Sequence, residues 1–133
     1  FAAPAENHWS ADPAPEFLRA AALIENGEYA RALPGLQMLS VADPGNADVF
    51  NLLGFVHRKT GDLDAAGAAY LRALRLDPGH MGALEYQGEL FLIQGDVAAA
   101  KGNLSRLAML CQDGCEERAD LENAVAVWKA ARD

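Results

Sequence analysis

The sequence predicts an all-α fold made of three consecutive helix-turn-helix units and a closing helix, on three observations. Apolar residues recur at the spacing of one helix face, Gly-Asp and Asp-Pro-Gly steps interrupt these runs, and the whole arrangement returns every 34 residues. The middle unit, 47–80, shows the pattern most completely. Phe50, Leu53, Gly54 and His57 fall on one face of a first helix, which Gly61-Asp62 ends. Leu63, Ala66, Tyr70, Ala73 and Leu74 continue on a second helix, which stops at Asp77-Pro78-Gly79. Gly54 and Ala66 have almost no side chain, so two antiparallel helices can approach there while Phe50 and Tyr70 fill the surrounding space.

The period holds on both sides. Gly27, Gly61 and Gly95 are 34 apart, as are Ala32, Ala66 and Ala100. Gly54 pairs with Gly88 and Pro44 with Pro78. Leu36, Tyr70 and Leu104 share the bulky position of the second helix, and Tyr29, Leu63 and Val97 the apolar position after the turn. The match of Phe50, Leu53, Gly54, Ala66, Tyr70, Ala73 and Pro78 resembles the signature of the tetratricopeptide repeat family, with His57 in place of the usual Tyr. The resemblance covers roughly residues 14–112 and implies an α-solenoid of three repeats plus a C-terminal capping helix.

Taken in order, residues 1–13 are rich in Ala and Pro and read as a flexible leader in which Trp9 and His8 are unanchored. The run Ala2-Ala3-Pro4-Ala5 is of the kind found near a signal-peptide cleavage site, so the expected setting is the bacterial periplasm after export, with the cytoplasm as the alternative. The repeat domain, 14–133, begins with a first repeat at about 14–46, its helices expected over Glu16–Asn26 and Glu28–Ala42. Ala20 takes the small-residue position, while Glu16 and Arg19 stand where the family has bulky apolar groups, as suits a terminal repeat facing water. Pro34-Gly35 inside the second helix predicts a kink or a delayed start.

The second repeat spans 47–80 and the third about 81–112. The third carries Leu84, Gly88, Phe91 and Leu92, then Val97, Ala100, Leu104, Leu107 and Ala108; Gln87 departs from the expected Leu. A last helix at about 116–131 puts Leu121, Ala124, Val125 and Trp128 on one stripe, the pattern of a cap over the end of the stack.

Composition restricts function. The 133 residues are 51% hydrophobic and 23% charged, ordinary for a globular protein, with a formal net charge of −8 that disfavours nucleic acid. No apolar run has the length of a membrane span. Ser/His/Asp order, phosphate-cradling Gly loops, HExxH and metal-ligand clusters do not occur, so neither catalysis nor a cofactor is expected. His57 on the packed face reads as a core histidine and His80 as an exposed linker residue.

Cys111 and Cys115 flank Gly114, which lets the chain turn tightly enough for their side chains to meet. A disulfide there would fix the departure angle of the capping helix and contribute about 2 kcal/mol on the chain-entropy estimate. Two readings stay open beside it: reduced thiols, or a redox or soft-metal site using Cys111, Cys115 and Met109, with too few ligands for structural zinc.

The family resemblance implies a concave groove lined by the first helix of each repeat. It assigns the groove to Phe17, Ala21 and Ile24, then Asp48, Asn51, Phe55 and Arg58, then Glu85, Glu89 and Leu92. Phe55, Ile24 and Leu92 suit an apolar anchor, Asn51 a peptide backbone, and Glu85 with Glu89, one turn apart, a basic side chain. Members that clamp a C-terminal carboxylate use Lys, Asn and Arg; here Leu52, Gly82 and Tyr86 stand at three of those positions, with only Asn51 nearby, so a carboxylate clamp is not expected. Residues 1–46 carry six acids and two bases, 47–80 four of each, and 81–133 nine and five. The expected partner is thus a neutral, basic or apolar protein or peptide, and self-association is the remaining alternative.

Overall fold

A computed structural model describes residues 12–133, so the leader expected at 1–13 lies almost wholly outside the described residues. Seven helices and no strand occur among those described: α1 (Pro15–Glu25), α2 (Tyr29–Ala42), α3 (Ala47–Lys59), α4 (Leu63–Leu76), α5 (Met81–Ile93), α6 (Val97–Leu110) and α7 (Glu116–Ala130). The second helices of the three repeats, α2, α4 and α6, begin 34 residues apart, and each has 14 residues. The helices gather into two units, α1–α4 ending at Leu76 and α5–α7 from Asp77 to Asp133.

Each hairpin turns on one glycine. Gly27, Gly61 and Gly95 have φ of 76°, 93° and 81°, the left-handed region where a side chain is strained. The chain then folds back on the helix it has just left: the N–H of Glu28, Asp62 and Asp96 reaches the carbonyl five residues earlier, on Leu23, His57 and Phe91, each at 2.8 Å. These bonds satisfy carbonyls that a helix end leaves without a donor. Asp62 and Asp96 then cap the next helix, accepting from the N–H of Ala65 and Ala99 at 3.1 Å.

The first helices of the later repeats are capped by different residues. Asn46 Oδ1 accepts from the Asp48 N–H at 3.0 Å, and His80 Nδ1 accepts from the Ala83 N–H at 3.0 Å. His80 is therefore a half-buried N-cap rather than a plain exposed linker. His57 is half-buried, not in the core. The first helix starts at Pro15, whose fixed φ and missing N–H suit the first helical position. Pro34 neither delays α2 nor divides it: the helix is continuous from Tyr29. Both Pro34 and Ala30, whose carbonyl loses its donor, are exposed, so water can serve that carbonyl.

In the first unit, Tyr70 of α4 lies directly over Gly54 of α3. A Cβ at Gly54 would stand 2.5 Å from Tyr70 Cε1 and 2.6 Å from Cδ1. The ring, fully buried, fills the gap that the missing side chain leaves. The equivalent Gly88 of α5 has another partner. Its Cβ would meet Leu121 Cδ2 at 2.7 Å, so the closing helix, and not the second helix of the same repeat, occupies the notch.

Leu121 and Val125 of α7 are buried, Ala124 and Trp128 half-buried, and Trp128 Nε1 donates to the Leu92 carbonyl at 2.8 Å. The departure at Gln87 has a partner as well: buried Asn103 of α6 donates to Gln87 Oε1 at 2.8 Å and to the Leu84 carbonyl at 3.0 Å. Two polar substitutions in facing helices thus satisfy each other.

Glycine substitutions separate close approach from backbone freedom. Gly54→Ala should lower stability by about 1–3 kcal/mol, because its methyl overlaps a ring that cannot retreat from a packed core. Gly102→Ala on α6, where an added Cβ meets nothing within 4 Å, should raise it by about 1 kcal/mol. Urea titration of both variants checks the opposite signs.

Candidate functional site

The residues assigned to the first helices have two sets of neighbours, one in each unit. In α1–α4, Phe17 and Ile24 lie seven apart on α1 and are buried. Asp48, Asn51, Phe55 and Arg58 share one face of α3; the first three are buried and Arg58 is half-buried. Asp48 also sits in the first turn of α3, where a carboxylate complements the helix dipole.

Phe55 anchors this face. Tyr29 meets its ring edge-on at a centroid distance of 6.0 Å, and the guanidinium of Arg58 and the ammonium of Lys59 lie 5.3 and 5.5 Å from its centroid. Ring and cations attract through the ring quadrupole. One turn before Phe55, the side chain of Asn51 is only 2% exposed, and its Oδ1 receives no hydrogen bond. Leaving a buried amide oxygen without a donor costs about 1–3 kcal/mol.

In α5–α7, Glu85 is 7% exposed, Glu89 one turn later is half-buried, and Leu92 is buried. Burial is the main cause that pushes the Glu85 carboxyl up to about 10. A hydrogen bond with Glu89 and the charge of that residue add to it, followed by the charges of Asp120 and Glu117 on α7. Glu85 is therefore protonated at neutral pH, and the pair does not present two full negative charges.

Sequence spacing identified Glu85 and Glu89 as neighbours but missed their acidic surroundings. Glu117 and Asp120 belong to another helix, and no periodicity ties them to α5. Tyr29 and Lys59 were also missed as companions of Phe55; Tyr29 was visible only as the apolar residue after the turn. The assigned residues do not present an open face: seven of the ten are buried and the other three, Ala21, Arg58 and Glu89, half-buried.

Cys111 and Cys115 are joined as a disulfide, with Cα atoms 6.0 Å apart. In this form neither sulfur is a thiolate ligand, and Met109, mostly exposed, lies outside the core. Among the described residues no group of three or more His, Cys, Asp or Glu side chains is placed to hold a metal ion, and no helix is long and apolar enough to cross a membrane.

Helix pairs whose second members are all 14 residues long, returning at a fixed period and closed by the same glycine turn, define an α-solenoid repeat protein. The chain belongs to the tetratricopeptide repeat family, whose model matches residues 17–80 and 56–101. It is similar to a probable biofilm formation methyltransferase, WspC, of Pseudomonas aeruginosa: 31% identical over 105 residues, which are 79% of this chain and 25% of that protein. The chain thus spans about a quarter of the length of this curated relative.

Solved structures share its fold. The type III secretion translocator chaperone SycD of Yersinia enterocolitica superposes with a TM-score of 0.76 at 21% identity, covering 89% of this chain and 92% of that one. SycD with a peptide of the translocator YopD gives 0.75 at 21% identity, with the same coverage. MamA of Desulfovibrio magneticus RS-1 gives 0.69 at 23% identity, covering 74% and 55%.

The raised Glu85 has a signed effect on stability. A carboxyl held above its unfolded value contributes stability that is fully present below about 4.5 and is lost as pH rises through about 10. Between pH 5 and 9 the wild-type chain should lose stability relative to Glu85→Gln, which keeps the hydrogen-bonding shape without the charge. The ceiling is about 1.4 kcal/mol per pH unit, and urea midpoints at the two pH values measure the difference.

Proposed function

We propose that this chain is a non-catalytic scaffold that binds a protein or peptide through the first-helix faces of its repeats. The observation that carries this reading is Asn51: a buried amide oxygen without a hydrogen-bond donor, on the same helix face as an aromatic anchor, Phe55. An incoming backbone N–H would satisfy that oxygen, while an apolar side chain would meet the Phe55 region. Because the face is covered in this structure, binding has to displace what lies against it, and affinity is the surplus over that cost.

The likeness to SycD, seen with a translocator peptide, supports the same reading. An acidic chain, with net charge −8, favours a neutral or basic partner of apolar character. The methyltransferase activity named for the Pseudomonas relative is not assigned to this chain, which matches a quarter of that protein. The disulfide favours an oxidising compartment, and with it the bacterial periplasm.

A pull-down from native extract tests the reading, with wild-type chain beside Asn51→Ala and beside an Asn51→Ala, Phe55→Ala, Glu89→Ala variant that keeps its helical circular dichroism. A partner held by wild type, reduced about fivefold or more by Asn51→Ala and lost by the triple variant, places binding on these faces. Equal retention by all three moves the site elsewhere on the molecule.

A further inference from the structure

The turn between α6 and α7 is the only described place where a covalent bond joins two helices. Cys111 is the C-cap of α6 and Cys115 the N-cap of α7, and both are half-exposed, within reach of a small reductant. Cys115 makes no side-chain capping bond. The following five residues, Glu116 to Asp120, include no buried side chain. Apart from the disulfide, the N-terminal half of α7 is held by Leu121 in the Gly88 notch and by Arg118 Nη1, which donates to the carbonyls of Cys111 and Gln112 at 3.3 and 3.4 Å. Glu117 and Asp120 are close enough to act on the carboxyl of Glu85, which keeps its proton at neutral pH, so neither acid gains an attraction there. The C-terminal half has its own hold, through Val125 and the Trp128 bond to Leu92.

We infer that the Cys111–Cys115 bond is a redox latch: a dithiol reductant opens it and releases the N-terminal half of α7 from α5. The inference goes beyond peptide binding and does not depend on it. One thiolate of the dithiol attacks Cys115 Sγ, the S–S bond breaks, and Cys111 Sγ leaves with the electron pair and takes a proton. The second thiol of the reductant then attacks the mixed disulfide, freeing Cys115 as a thiol and closing the reductant into its own disulfide. Two electrons and two protons have passed to the protein. Cys111 Sγ lies 3.1 Å from the Leu107 carbonyl oxygen, so its new S–H finds an acceptor on α6. Cys115 is then free to leave with α7.

Closing so short a loop restricts the open ensemble by about thirtyfold on the chain-entropy estimate, and that is the size of the expected effect. Amide hydrogen exchange on the full chain, oxidised and then treated with dithiothreitol, reads it directly, with a thiol count to confirm reduction. Amides from Ala119 to Glu122 should exchange about thirtyfold faster after reduction, while those of α3 and α4 keep their rates. A Cys111→Ser, Cys115→Ser variant should show the fast rates with and without reductant. Rates unchanged within twofold after reduction, acceleration spread equally over all helices, or a bond that dithiothreitol reduces only in denaturant would each overturn the latch.

Discussion

Everything in this molecule depends on a backbone conformation that recurs at Gly27, Gly61 and Gly95. A positive φ at these positions ends one helix and sends the chain back along it, with the same backward hydrogen bond each time. Because the turn is geometrically uniform, the next helix begins two residues later in all three repeats. The helix pairs then meet in the same register, which is what allows small residues to be placed opposite bulky ones at a fixed period.

Close approach is the second constraint, and it is met in two ways. Gly54 receives Tyr70 from the second helix of its own repeat, whereas Gly88 receives Leu121 from α7. The aromatic at position 70 is replaced at 104 by a shorter Leu that is only half-buried. One repeat thus completes its core internally, and the other requires the closing helix. This gives α7 structural weight out of proportion to its two buried side chains, and it explains why the turn that introduces α7 matters.

Polar groups tell a related story. Asn103 and Gln87 depart together from an apolar pattern, and the Asn103 amide nitrogen donates to Gln87 Oε1 where they meet. Asn51 and Glu85 behave differently. One keeps an amide oxygen without a donor, and the other is buried among carboxyls and keeps its proton. Neither arrangement improves the fold, and a scaffold that binds a partner is a setting in which such unfavourable groups become useful.

The sequence by itself determined the helices, their period and their turns, because helix length, glycine punctuation and capping are decided by residues within a few positions of one another. The second-helix starts and the stripe on α7 were legible for that reason. The first-helix residues were legible as a face, but not their state. Burial of Asn51 and Glu85, the choice of Leu121 as the partner of Gly88, the Asn103 bond to Gln87 and the four carboxyls along α5 and α7 were decided only by tertiary structure. Each depends on which side chain from a distant segment arrives at a given point. Periodicity records which face of a helix is apolar; it carries no information about what comes to lie against that face.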